Sequence, residues 1–251
     1  MSLSYADPIV ASNKLALISR VNLSRVQTLF FDDFSSPNLS WRANDFGSGG
    51  IADTRAGFIR HYRSMSMGLG ATGCLQMYAG DNGNALQDAK KGVPLQGPAI
   101  IGAECWFQFY HHVVNDTSLR FLMTIEQQKL GDSNEHKGSL GVNPGNSLAY
   151  YETSDLVYTS LVSTQGMPEI RHGTWNYMNL ELDYSNNKYL TAKVNEIDYS
   201  STVAAQSLLT HAGVPQACNL EFHLVGGGSS GKRGGEFFIG ATHLYKIRQA
   251  A

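Results

Sequence analysis

Short runs of β-branched and aromatic residues, separated by clusters of Gly, Asn, Asp, Ser and Pro, make up the chain from Leu29 onward. None of these runs continues into the 3.6-residue periodicity of a long amphipathic helix. This pattern is typical of a β-sandwich or a β-barrel, so the sequence predicts an all-β domain. The predicted strands cover residues 28–34, 57–64, 73–79, 99–113, 119–128, 147–153, 156–163, 175–183, 188–195, 218–226 and 236–248.

The first 28 residues differ from the rest and are predicted to form an N-terminal arm, with residues 29–251 forming one domain. Asp7 followed by Pro8 is typical of a helix start, because aspartate caps a helix and proline fits its first position. The apolar residues that follow fit a short helix or a strand-like arm. A chain of 251 residues is long enough to bury a core without disulfides.

The composition argues against several classes of partner. With 19 basic and 21 acidic residues and a net charge of −2, the chain lacks the basic stripe that nucleic acids or anionic membranes require. No apolar stretch approaches the roughly 18 residues of a membrane span, and the N-terminus lacks the pattern of a secretion signal. We therefore expect a cytoplasmic protein, or a secreted one if a signal has been removed. The cysteines, predicted to be buried thiols because none has C-x-x-C spacing, are Cys74, Cys105 and Cys218.

Alternation divides several predicted strands into an apolar and a polar face. In the strand around Phe107, the apolar face carries Cys105, Phe107 and Phe109, which are expected to point into the core. Leu220, Phe222 and Leu224 alternate in the same way with Glu221 and His223. These strands are expected to share one outer face that is both polar and aromatic.

The segment Leu29–Phe34, followed by Trp41, and the segment 173–199, in which a Trp-led strand forms a hairpin, resemble the concanavalin A-like lectin and glucanase superfamily. The resemblance covers most of residues 29–248 in order. It implies a two-sheet antiparallel jelly-roll β-sandwich. It also implies that the first and last strands pair, which would place residues 30–34 beside residues 237–247.

Many sugar-binding members of that superfamily hold calcium near the paired terminal strands, using acidic groups from both ends of the chain. Here Asp32 and Asp33 would supply one side, whereas the facing run 238–243 has no acidic residue. No metal is expected, and Asp32 and Asp33 are only weak candidates for calcium. No other cofactor is expected, since the eight histidines show no ligand spacing.

The polar-aromatic face suits a carbohydrate. Sugars present hydroxyls at the ring edge and apolar C–H patches on the ring face, so their sites combine aromatic platforms with carboxylates, amides or imidazoles. We expect one concave sheet to bring such residues together, although a loop or a second subunit could instead cover them. The predicted ligand-binding residues are Trp106, Gln108, Tyr110, His112, Tyr177 and Glu221. The candidates for acid–base catalysis are His112, Glu126, Glu181 and His223.

Two further motifs are better explained by loops. The run from Glu181 through Asp183 to Asn186 resembles the Glu-x-Asp-x-x-Glu strand of bacterial glucanases, but an amide at the last position cannot act as a general acid. Asn186 and Asn187 instead predict a hairpin turn. The glycine-rich run 226–231 resembles the sequence of a phosphate-binding loop, but Arg233 occupies the position at which that loop requires Ser or Thr.

The function expected from the sequence is recognition of a glycan or glycoside on one sheet. The first alternative is a cytoplasmic enzyme, a hydrolase or lyase that acts on a glycoside or keto-sugar by acid–base chemistry. The second alternative is a structural or assembly subunit, because jelly rolls also build capsids. The expected partner is a carbohydrate, with a homo-oligomer possible and the particular sugar left open.

Overall fold

A computed structural model gives the architecture of the chain as an all-β jelly-roll sandwich. The structure describes residues 19–34, 41–44, 57–62, 73–79, 86–94, 99–111, 120–128, 134–154, 157–161, 168–212, 217–225 and 235–248. Among these described residues, the one α-helix, α1, is the single turn Ser200–Val203, and a 3-10 turn covers Leu23–Arg25. Within these ranges, no helix has the length and apolar character needed to cross a bilayer. The part of the predicted arm before residue 19 lies outside the described residues.

The first sheet, which we call sheet A, contains eight antiparallel strands. They are β1 Val26–Asp32, β3 Gly57–Tyr62, β4 Cys74–Ala79, β6 Ile100–His111, β11 Asn176–Asp183, β12 Lys188–Val194, β13 Ile197–Asp198 and β16 Gly235–Ile247. Their order is β13-β12-β11-β6-β16-β4-β3. The long strand β16 pairs with β4 through residues 235–239 and with β1 through residues 242–247.

The second sheet, sheet B, also contains eight antiparallel strands. They are β2 Arg42–Asn44, β5 Leu86–Val93, β7 Arg120–Gln128, β8 Asn134–Asn143, β9 Leu148–Ser154, β10 Val157–Leu161, β14 Leu209–Ala212 and β15 Cys218–Val225. Their order is β10-β9-β8-β7-β15-β5-β2, with β14 beside the first half of β8.

Alternate residues of each sheet meet in one core. Phe107 and Phe237 of sheet A pack against Phe121 and Phe222 of sheet B, and all four side chains are fully buried. The ring centroids of Phe121 lie 5.2 Å from Phe107 and 4.8 Å from Phe237. Large aromatic side chains bury much apolar surface, so this stack holds the two sheets together. The three cysteines are buried and unpaired, as the sequence predicts.

The first and last strands pair, which confirms the arrangement implied by the superfamily resemblance. Phe31 lies opposite His243 and Asp32 opposite Thr242, in antiparallel register. Strand β1 begins at Val26, so its first three residues fall inside the predicted arm of residues 1–28. The residues just before it cross the outer face of sheet A.

The hairpin predicted at Asn186 and Asn187 is confirmed. Strand β11 ends at Asp183, β12 begins at Lys188, and Asn187 has a φ of 58°, the left-handed conformation that asparagine tolerates. The Asp183 carboxylate accepts hydrogen bonds from the backbone N–H groups of Ser185 (2.8 Å) and Asn186 (3.1 Å). Asp183 therefore shapes the turn, and the run Glu181 to Asn186 does not continue as a catalytic strand.

At Gly102, sheet A has no room for a side chain. A Cβ added at Gly102 would lie 2.3–2.5 Å from the ring and hydroxyl of Tyr245, which is fully buried beside it. We expect Gly102→Ala to lower the free energy of unfolding by about 1–3 kcal/mol, because the Tyr245 ring must move. Chemical denaturation measures this loss, and an unchanged midpoint would show that the ring moves aside freely.

Candidate functional site

The residues predicted to share one polar-aromatic face lie on the outer faces of both sheets. Sheet A carries Trp106, Gln108, Tyr177 and Glu181. Sheet B carries Glu126, Glu221 and His223. The expectation of a single face is wrong, because β6 and β11 pair within sheet A whereas β7 and β15 pair within sheet B. Tyr110 belongs to β6, but its side chain is outside the described part of the chain, as is the whole of His112.

The outer face of sheet B gathers six charged or titratable side chains from four adjacent strands. Strand register brings them together, since Lys90 of β5 lies opposite Glu221 of β15, and Glu221 lies opposite Thr124 of β7. One step along the strands, Asp88 lies opposite His223. We call this group the carboxylate cluster, and its members are Asp88, Lys90, Glu126, Glu135, Glu221 and His223.

Lys90 links two carboxylates of the carboxylate cluster. Its Nζ lies 2.9 Å from Oε2 of Glu126 and is also in contact with Oε1 of Glu221. Glu126 lies opposite Asn219, so Glu126 and Glu221 are diagonal neighbours on paired strands. Both carboxylates contact one ammonium group, and a side-chain hydrogen bond also joins Glu126 to Glu221, so the two carboxyls are direct neighbours.

His223 extends the carboxylate cluster on the side away from Lys90. Its Nδ1 lies 2.6 Å from Oδ1 of Asp88, and its Nε2 lies 3.4 Å from Oε2 of Glu221. Burial would lower the pKa of His223, but the hydrogen bond and negative charge of Asp88 raise it above its ordinary value. The imidazole is thus held between two acids, with Asp88 fixing its orientation.

The environments of the three glutamates push their pKa values apart. Burial alone would raise the pKa of Glu126, but the Lys90 charge and several hydrogen bonds hold it down to about 2. Burial and the nearby Glu126 charge raise the pKa of Glu221 to about 7. Burial and a hydrogen bond to Glu126 raise the pKa of Glu135 to about 8. The group therefore combines an ionised carboxylate with carboxyls that hold protons near neutral pH.

A ligand can reach the carboxylate cluster through its more exposed members. The side chains of Lys90 and His223 keep 27% and 21% of their surface exposed, against 7% for Glu221. Between Glu221 and Ser139, the hydroxyl of Thr124 is buried and has no hydrogen-bond partner among the residues that the structure describes. Because buried polar groups are ordinarily paired, this hydroxyl is an unsatisfied polar group beneath the carboxylate cluster.

The protonated carboxyls predict how stability depends on pH. Glu135 and Glu221 have folded-state pKa values of about 8 and about 7, above the 4.5 of an ordinary glutamate. Their protonated forms therefore stabilise the fold fully below about pH 4.5, and that contribution is lost as the pH rises through 7 to 8. We expect the free energy of unfolding to fall between about pH 5 and about pH 9, and Glu135→Gln to reduce the fall. Urea denaturation at both pH values measures it, and an equal or rising stability would contradict these pKa shifts.

On the outer face of sheet A lies a different carboxylate, Glu104, and both of its oxygens have hydrogen-bond partners within the protein. Glu104 is 3% exposed and accepts hydrogen bonds from the Tyr177 hydroxyl (2.7 Å), the backbone N–H of Arg20 (3.1 Å) and the Ser19 hydroxyl. His243 Nδ1 lies 3.0 Å from Oε1, the oxygen that the Ser19 hydroxyl also contacts. These contacts fasten the segment before β1 across the sheet, so Glu104 has a structural role.

The aromatic residues of this face are also engaged. The Arg20 guanidinium lies 4.8 Å from the ring centroid of Trp106 and 4.7 Å from that of Tyr177. Cation–π contacts of this kind hold the arm segment against the sheet. A cavity of about 510 Å³ beside it is lined by Asn179 and Glu181, among others, and a second of about 480 Å³ by Trp106 and Trp175.

Sequence reasoning missed several members of the site. Asp88, Lys90 and Glu135 lie on strands that the residue pattern did not predict, and Thr124 carries no motif. Thr124 lies between Met123 and Ile125, which are fully buried in the core. Alternation along the strand therefore indicates that the Thr124 side chain points to the outer face. Alternation with Cys105 assigns Glu104 to the outward side of its strand, but its partners Ser19 and His243 are far from it in sequence.

Of the two residues proposed for calcium, Asp32 is already engaged by other groups. Oδ2 of Asp32 accepts hydrogen bonds from the Trp41 indole N–H (2.9 Å) and the Lys91 ammonium (3.2 Å), and Oδ1 accepts from the backbone N–H of Phe34 (2.9 Å). An ammonium group beside Asp32 competes with a cation, and six or more oxygen ligands are needed. Within the described ranges, no group of three or more His, Cys, Asp or Glu side chains is arranged to hold a metal.

Comparisons with known proteins show similarity in fold but not in sequence. No protein-family model matches the sequence, and no curated protein sequence is similar to it. An endo-1,3-beta-glucanase from Streptomyces sioyaensis superposes with a TM-score of 0.50 and 11% identity, over 92% of this chain and 100% of that chain. Cellulose induced protein, Cip1, superposes with a TM-score of 0.55 and 9% identity, over 88% and 99% of the two chains. Lectin I from Ulex europaeus, solved with the methyl glycoside of alpha-L-fucose, gives 0.50 and 9%, over 89% and 98%.

The chain therefore has the concanavalin A-like jelly-roll fold, shared by glucanases and lectins. At identities of 9–11% these similarities establish the fold alone. The chemistry must be argued from the residues of this chain, because one fold supports many functions.

Proposed function

We propose that the protein binds a glycan on the outer face of sheet B and cleaves a glycosidic bond there by acid–base chemistry. The observation that carries the proposal is the pair formed by Glu126 and Glu221. These two carboxyls lie on neighbouring strands, contact the same Lys90 ammonium group, and have pKa values near 2 and 7. A proton donor beside an ionised carboxylate is the arrangement that glycoside hydrolysis requires.

Each group has a defined chemical role in this proposal. The Glu221 carboxyl donates its proton to the leaving oxygen as the glycosidic C–O bond breaks. The Glu126 carboxylate adds to the anomeric carbon, and water, deprotonated by Glu221, then displaces Glu126 and releases the sugar. Lys90 moves out from between the Glu126 and Glu221 carboxyls when the sugar enters, since its side chain is partly exposed and flexible. His223, held by Asp88, positions the Glu221 carboxyl.

Glycan recognition without cleavage is the second candidate function. It is favoured by the same Lys90 contacts, because the ammonium group occupies the gap in which a glycosidic bond must lie for cleavage. In that case, the carboxylate cluster would hydrogen-bond to sugar hydroxyls, and Lys90 would stay in place. The fold similarity to a glucanase and to a lectin supports both candidates equally.

A combined screen distinguishes these functions. The purified protein is applied to a glycan array, and the same glycans are incubated with it and assayed for new reducing ends. Binding with release of reducing ends supports the enzyme, and binding without release supports recognition. Absence of both, together with oligomers that grow with protein concentration, would favour the assembly subunit instead.

A further inference from the structure

Arg120 is a positively charged residue that contacts two tyrosine rings on the same outer face as the carboxylate cluster. It begins β7 and lies opposite Val225 of β15. Its guanidinium carbon lies 4.9 Å from the ring centroid of Tyr158 and 5.5 Å from that of Tyr150. These two tyrosines come from β10 and β9, so the guanidinium is supported from two adjacent strands.

Arg120 differs from the other described cations of this face because it has no acidic partner there. Lys90 is paired with Glu126 and Glu221, and Lys137 lies 3.4 Å from Glu152. The Nε of Arg120 is buried and has no hydrogen-bond partner within the described ranges. A partly buried guanidinium that lacks a counterion favours an anion, because desolvating an unpaired charge is costly.

The position of Arg120 connects it to the proposed glycan site. Residues 120, 122, 124 and 126 of one strand point to the same side, so Arg120, Thr124 and Glu126 share the outer face of sheet B. Four residues of a strand separate Arg120 from Thr124, a distance of about 13 Å. A chain of a few sugar units lying along β7 spans that distance.

We infer that Arg120 forms a subsite for an anionic group of the glycan, so that the substrate class is an acidic polysaccharide bearing carboxylate or sulfate groups. This rests on the proposed function of sheet B. The planar guanidinium donates two parallel hydrogen bonds to a carboxylate or sulfate, a geometry that lysine cannot match. The rings of Tyr150 and Tyr158 hold the guanidinium in place and reduce the entropy lost when an anion binds.

The test compares three kinds of oligosaccharide on the wild-type protein and on Arg120→Gln. They are a neutral β-glucan oligosaccharide, an oligogalacturonate that carries carboxylates, and a carrageenan oligosaccharide that carries sulfate without carboxylate. We expect one acidic class to bind more tightly than the neutral chain, and Arg120→Gln to weaken that binding by roughly 10- to 100-fold. The class that is affected identifies the anion as carboxylate or sulfate.

Arg20→Gln provides a matched control, because Arg20 is also stacked between two aromatic rings but lies on sheet A. It is expected to leave the binding of acidic glycans unchanged. Arg120→Lys keeps the charge without the planar fork and is expected to lose roughly tenfold in affinity. This second variant keeps the test valid if Arg120→Gln unfolds, which thermal denaturation would reveal.

The outcomes separate the subsite from the function on which it rests. Tighter binding of neutral glycans, or an Arg120→Gln variant that binds acidic glycans as well as the wild type does, would overturn the anionic subsite while leaving the glycan site intact. Failure to bind or cleave any glycan would overturn the proposed function itself.

Discussion

Glu221→Gln is expected to lower the rate of glycan cleavage by roughly 10²–10⁴-fold, the usual contribution of a general acid. Glutamine has nearly the same shape but has no acidic proton to give to the leaving oxygen. The raised pKa of Glu221, about 7, also predicts that cleavage by the wild type slows as the pH rises above that value, because the acid loses its proton. Initial rates of reducing-end release, measured on the best substrate from the screen, give both results.

Glu181→Gln is the matched control for this experiment. Glu181 is a glutamate that the sequence also suggested for catalysis, but it lies on sheet A, where it accepts hydrogen bonds from Thr191 (2.5 Å) and Tyr245 (3.0 Å). Its replacement is expected to leave the rate unchanged. Equal rates for Glu221→Gln and the wild type, or a loss confined to Glu181→Gln, would remove the catalytic assignment.

The largest effect on stability is expected from Glu104→Ala, at about 3–5 kcal/mol in the free energy of unfolding. Truncation removes the acceptor of the Tyr177 hydroxyl and of His243, which are 3% and 1% exposed and cannot turn to water. It also releases the segment that begins at Ser19 from sheet A. Urea denaturation measures the loss.

Glu196→Ala serves as the control for Glu104→Ala. Glu196 forms an ion pair with Arg20 at 3.0 Å, but its side chain is 84% exposed. Exposed ion pairs contribute about 0–1 kcal/mol, so this change is expected to have little effect. Similar losses in the two variants would show that the Glu104 contacts contribute no more than a surface ion pair.

Alternation predicted the inward and outward sides of the strands around the core. Phe107 and Phe222 are buried as the pattern requires, and the turn at Asn187 lies where the residues indicate. These features depend on a period of two residues and on local turn chemistry, both of which are visible in a single sequence.

Strands β5 and β8 of sheet B escaped prediction because their residues have low β propensity. Strand β5 contains Asp88, two lysines and Gly92, and β8 contains Gly138 and Gly141 among polar residues. Long-range pairing with β15 and β7 makes them strands nevertheless. The unpredicted strands supply half of the carboxylate cluster, so the sequence pattern alone could not reveal it.

The residue pattern also could not predict how the polar residues are divided between the two sheets. Alternation assigns Trp106 and Glu126 to the outward side of their own strands, but it does not show which strands are neighbours. Only the order of strands places Trp106 beside Tyr177 and Glu126 near Glu221.

The location of the bound sugar is settled by a crystal structure of Glu221→Gln with an oligosaccharide selected by the screen. We predict sugar density on the outer face of sheet B, with a glycosidic oxygen beside residue 221 and the anomeric carbon facing Glu126. Density on sheet A instead, in the cavity between Trp106 and Trp175, would contradict this placement.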